Sequence, residues 1–132
     1  MVTENVAHLE LAVKELEGGF SLERANKCFR LCQTIWSEVY GGWLVMGPLD
    51  KSLTEEWRSL MGKLCALYEP HKTELYIGHF LQHIVEYQFM LSLIEREGIE
   101  AVAKYLTHRI DELTKAAKDE KRCAMQSSKV PR

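Results

Sequence analysis

The chain has 132 residues, 46% of them hydrophobic and 27% charged, with a formal net charge of −2. This is the size and composition of one folded domain, and it excludes a disordered, collagen-like or small disulfide-stapled scaffold. The small net charge hides an asymmetry: residues 1–103 carry 9 Lys+Arg and 15 Asp+Glu, whereas residues 104–132 carry 8 and 4. An acidic body is followed by a basic end, able to meet an acidic partner, nucleic acid or the body itself.

The opening MVTENVAHLE has no basic stretch followed by an apolar one, so a cytoplasmic address is expected. Thr3 offers an N-cap, and Val6, Leu9, Val13 and Leu16 follow at alternating spacings of three and four, which predicts an amphipathic helix ending at Gly18 and Gly19. Ser21 supplies the next cap, and Ala25, Phe29, Cys32, Trp36 and Val39 carry a second apolar face to a stop at Gly41 and Gly42. The stretch from Trp43 to Ser52 reads as a packed connector broken at Gly47 and Pro48, since proline disfavours a helical residue before it.

Ser52 with Glu55 forms a capping box, and Leu53, Trp57, Leu60, Met61, Leu64 and Leu67 keep a helical period up to Glu69 and Pro70. Pro70 and Thr73 then open a helix over residues 73–97, closed by Gly98. Its run LYIGHFLQHIVEYQFMLSLI is apolar on almost every side, so it is expected at the centre of the fold with Ile84 and Phe89 in the core. It is long enough for a membrane span, but His79, Gln82, His83 and Glu86 lie in its middle, where lipid penalises polarity, so no membrane role is expected. A fifth helix follows, with Ile99, Val102, Leu106, Ile110, Leu113 and Ala117 along one face. The closing CAMQSSKVPR loses that period. The expected fold is all-α: one bundle of about five helices over residues 1–122 around a central apolar helix, followed by a flexible basic tail at 123–132.

Three patterns carry candidate chemistry. His79 and His83 are an H-x-x-x-H pair with Glu86 one turn on, and Cys28 and Cys32 are a second i, i+4 pair. If the second and fourth helices meet, these five could hold zinc or iron, with zinc the natural choice for a tetrahedral Cys2His2 set. The opposing expectation is that the cysteines are small buried hydrophobes and the histidines structural. A di-iron carboxylate bundle needs Glu-x-x-His, which does not occur, and no phosphate loop or nucleophile elbow is present. The basic end places Lys115, Lys118, Lys121 and Arg122 among Asp111, Glu112, Asp119 and Glu120. That is a candidate nucleic-acid surface, weighed against a solvated helix face. Finally, Trp43 and Met46 beside the Gly-Pro turn, with Leu106, Ile110 and Leu113, are the residue types that anchor protein interfaces.

From Leu53 onward, a helix, a longer helix ending Leu93-Ile94-Glu95-Arg96-Glu97-Gly98, and a further helix from Ile99 to Leu113 containing Tyr105 and Leu106 resemble the helical insertion between the motor lobes of some fork-processing and RNA-sensing helicases. The resemblance covers about the last three fifths of the chain and includes none of the helicase motor motifs; the first helix has no counterpart in it. Shared pattern of this kind implies fold alone. The expected function is therefore a binding or assembly module, without chemistry of its own, for a protein partner or a second copy. A metal-binding helical protein and a nucleic-acid accessory domain are the alternatives.

Overall fold

The computed structural model describes the backbone of residues 2–129 and the side chains of residues 2–119. It contains α1 (Val2–Gly18), α2 (Leu22–Met46), α3 (Lys51–Tyr68), a single 3-10 turn (Glu69–His71), α4 (Ile77–Glu97) and α5 (Ile99–Lys129), with no strand among the described residues. α1 lies against α2 and α3, and α4 lies against the same two helices from the other side. The first four helices therefore close in the order α1, α2, α4, α3, and α5 packs outside them on α4 and α2.

Helical period explains this closure. Val6, Leu9, Val13 and Leu16 put one stripe of α1 inside, and Ala25, Cys28, Cys32, Ile35 and Val39 do the same for α2. α4 supplies the largest buried set: Ile77, Phe80, Ile84, Tyr87, Met90, Leu91, Leu93 and Ile94. Each such aliphatic or aromatic side chain contributes roughly 1.5–3 kcal/mol by leaving water, most of it offset by the entropy lost on ordering the chain. Two polar side chains tie the helices together from inside. Tyr68 Oη donates to the Ala25 carbonyl at 2.7 Å, tying α3 to α2. Thr54 Oγ1, in a residue only 2% exposed, shares its one proton between the Lys51 carbonyl at 3.0 Å and Glu95 of α4 at 3.2 Å, and Arg58 pairs with the same Glu95.

Several boundaries differ from those expected. α1 is already helical at Val2, so Thr3 lies within its first turn. α2 continues through Gly41 and Gly42 to Met46 and ends only at Gly47, whose φ of 83° and N–H bond to the Trp43 carbonyl close the last turn. Two glycines weaken a helix by about 1 kcal/mol each, but Tyr40 and Trp43 pack against the core on either side of them and hold the turn. α3 is capped by Asp50, whose carboxylate accepts from Ser52 N at 3.0 Å. A full negative charge at a helix N-terminus displaces the weaker Ser52 cap. Glu55, freed from the capping box, pairs with Arg58 at 2.6 Å.

α4 begins at Ile77, after the 3-10 turn and a bend. Tyr76 enters it with φ at 73°, the one non-glycine residue at positive φ among the described residues. Gly78 is required next, because a Cβ there would stand 2.5 Å from the Lys72 carbonyl oxygen. Phe89 is not core: it is 47% exposed, whereas Ile84 is 0% exposed. α4 is covered by α2, α3 and α5, and the strip between their contacts leaves Val85 and Phe89 facing outward.

Candidate functional site

On α4 the polar stripe faces outward as its spacing requires. His79 is exposed and His83 half-buried, their rings meet edge to face with centroids 4.4 Å apart, and Phe29 of α2 lies 6.4 Å from one and 5.6 Å from the other. Phe29 is itself stacked on Phe80 at 4.6 Å. Burial pushes the His83 imidazole below its ordinary pKa, and the neighbouring His79 and Arg109 add to that, against the opposing pull of Glu86. Glu86 is engaged by α5: Tyr105 Oη donates to Glu86 Oε2 at 3.4 Å and Arg109 Nε lies 3.7 Å from the same oxygen.

Cys28 and Cys32 are in the core, both 0% exposed. Burial pushes each thiol up to about 12, far from the thiolate that binds metal or attacks a substrate. Lys27 of α2 and Glu15 of α1 act on Cys28, and Cys28 and Cys65 on Cys32; both thiols act on Tyr68 of α3, and Cys32 acts on Tyr87 of α4 as well. Trp57 Nε1 is buried with no hydrogen bond at normal distance, and it acts on the Cys32 thiol as the one influence lowering that pKa against burial. The thiols thus lie in the core, with Tyr68 of α3 and Tyr87 of α4 among their neighbours, while the imidazoles cluster with Phe29 at its edge. Among the described residues no group of three or more His, Cys, Asp or Glu is placed to hold a metal ion, so the set His79, His83, Glu86, Cys28 and Cys32 is not assembled into one centre. Sequence spacing placed each pair on one face of its helix; it carried no information on how the two helices turn toward one another.

The candidate interface residues are placed differently. Trp43 is half-buried and packs on the core, while Leu44, Val45 and Met46 beside it are 60%, 84% and 79% exposed. Leu44 and Val45 were hidden from sequence reading by the supposed glycine stop; three consecutive apolar residues on a helix cannot all face one core, and that was the available signal. On α5, Val102 is 0% exposed and Leu106 half-buried, but Ile110 and Leu113 are 62% and 56% exposed. Every described side chain from Thr107 to Asp119 is exposed, so the helix leaves the body there. Val85 at 50% exposure and Phe89, whose ring lies 5.1 Å from Tyr105, extend the apolar surface onto α4. A shallow cleft between the two helices is lined by Leu81, Gln82, His83, Val85, Glu86 and Arg109. Lys115 and Lys118 are exposed on the departing segment; the side chains of Lys121 and Arg122 lie outside the described residues, as do those of the tail expected at 123–132, whose backbone is helical as far as Lys129 and outside the described residues beyond it.

No protein-family model, no curated protein and no solved structure matches this chain. Among the described residues no helix is long and apolar enough to cross a membrane.

Proposed function

We propose that the chain is a helical binding and assembly module, with no chemistry of its own, that recognises a protein partner through the outer part of α5. One observation carries this reading. A single apolar stripe is sealed in the core at Val102, half-covered at Leu106 and open to water at Ile110 and Leu113. The part of α5 beyond Leu106, running to Lys129, is about 35 Å long at 1.5 Å per residue. Most helical stability in proteins comes from burying an apolar face, so a projecting helix that keeps its stripe is suited to burial by another chain. Asp111, Glu112 and Asp119 alternate with the lysines on this segment; carboxylates among the cations weaken phosphate attraction, which favours protein over nucleic acid.

The test is recovery of the tagged full-length chain, with its associated protein, from the cells that make it, after brief cross-linking. Ile110→Asp and Leu113→Asp are expected to lose that protein while keeping wild-type circular dichroism, since both positions are already exposed. Equal recovery by wild type and both variants would overturn the reading.

A further inference from the structure

We infer that His79 and His83 form a two-imidazole chelate for one divalent d-block cation, a staple across one turn near the start of α4. The inference stands apart from the docking reading of α5 and uses none of its residues.

Of the five ligands that spacing suggested, the fold removes three. Cys28 and Cys32 are sealed in the core at 0% exposure, and Glu86 is engaged by Tyr105 and Arg109 of α5. His79 and His83 remain, one exposed and one half-buried at the surface. Two other histidines are already held by carboxylates, since His71 Nδ1 lies 2.6 Å from Glu74 and His108 Nε2 lies 3.0 Å from Glu112. Among the described residues, neither imidazole of the α4 pair has a hydrogen bond or an ion pair. Their ring nitrogens are therefore open to a ligand.

The rings are also spaced for one ion. Their centroids are 4.4 Å apart and their planes are inclined at 75°. Two imidazoles in neighbouring positions on one metal, with bonds of about 2.0 Å at a right angle, have centroids about 4.5 Å apart. Histidine turns readily about its second side-chain torsion, so aiming one nitrogen of each ring at a shared point needs rotation and little translation. Phe29 stands 6.4 Å from the His79 ring and 5.6 Å from the His83 ring, and it is itself stacked on Phe80 at 4.6 Å. That fixed wall limits where the imidazoles can go, which lowers the cost of ordering them around an ion.

The ligand set selects the cation. Among the described residues no third His, Cys, Asp or Glu joins the pair, so water completes the coordination. A closed tetrahedral zinc centre takes four protein ligands, whereas neighbouring imidazoles with water suit the tetragonal preference of Ni(II) or Cu(II). Occupancy acts on a weak point of the helix. α4 starts behind Tyr76 at φ 73° and has no side-chain cap, and an ion shared by residues four apart holds the intervening turn helical. An ion bound only by the folded chain raises Tm.

The experiment is isothermal titration of the full-length chain with nickel chloride under argon, for wild type, His79→Gln, His83→Gln and His71→Gln, with Tm by circular dichroism with and without nickel. Nickel is the probe because, unlike Cu(II), it does not oxidise the thiols. Wild type is expected to bind one nickel ion through the pair and to gain Tm, and His71→Gln should match it. A partner standing behind a metal ligand is already worth about 10–100-fold, so loss of a ligand itself should weaken binding at least about tenfold in each α4 variant and abolish the gain in Tm. His79 is exposed, so His79→Gln keeps the fold and decides the question even if His83→Gln unfolds. Binding that His79→Gln leaves unchanged is an adventitious ion only and overturns the chelate, as does a wild type that binds no nickel. Equal Tm with and without bound nickel overturns the staple.

Discussion

Replacing Ile84 by alanine tests whether the inner face of α4 is as the structure has it. Ile84 is 0% exposed, and the substitution removes three carbons. At about 0.8 kcal/mol for each, the lost transfer energy is roughly 2.4 kcal/mol. If the core collapses only partly and leaves a void of about 50 Å³, the cavity adds about 1.2 kcal/mol at ~24 cal/mol per Å³. Alanine's better helix propensity returns about 0.4 kcal/mol. The expected loss is about 3 kcal/mol. With an unfolding entropy of roughly 2.1 cal/mol/K per residue, this lowers Tm by about 11 °C for a 132-residue domain. The assay is urea unfolding followed by circular dichroism at 222 nm, with Phe89→Ala as the internal comparison. Phe89 is 47% exposed and should cost only about 1–1.5 kcal/mol, through half-covered area and its contact with Tyr105. A loss below about 1 kcal/mol for Ile84→Ala at unchanged denaturant slope, or equal losses at the two sites, would refute the assignment of these faces.

Three other outcomes are expected. Tyr76→Gly should leave stability unchanged or raise it by about 1 kcal/mol in the same assay, because Tyr76 holds a φ of 73° that costs an L-residue roughly that much; a clear loss would mean that its half-exposed ring makes contacts worth more than the strain. Cys28 and Cys32 should resist iodoacetamide in the native protein and react only on unfolding, since burial lifts both thiols to about 12; peptide mapping by mass spectrometry reads each site, and fast native labelling of either would contradict its burial. The lowered pKa of His83 means that the unfolded chain binds its proton more readily than the folded one. Stability should therefore be full above the ordinary histidine pKa of 6.5 and fall as pH drops below it. His83→Gln should flatten that part of a Tm-against-pH curve, and an unchanged slope between pH 7.5 and 5.5 would show that another group sets it.

The helical class and the inward stripes of α1, α3 and the inner part of α5 were legible in the chain because apolar side chains recur there with a period near 3.6, and a soluble helix with such a stripe has one way to bury it. Gly98 was legible as the end of α4 for a related reason: its φ of 91° is one that glycine adopts without cost. Gly41 and Gly42 carried the same local signal and did not stop α2, because Tyr40 and Trp43 reach the core from either side of them. Ser52 lost its cap to the carboxylate of Asp50, a competition between neighbours that residue type alone leaves open. The candidate metal set shows the same division. Helical spacing determines that His79 shares a face with His83, and Cys28 with Cys32, but only the rotation of α2 against α4 decides whether the two faces meet, and packing seals both thiols in the core while His79 is left exposed. Likewise the stripe on α5 was visible from Ile99 to Ala117, yet nothing local marks where along it the body ends. That point, just past Leu106, is set by how far α2 and α4 extend beneath the helix, and it is what leaves Ile110 and Leu113 in water.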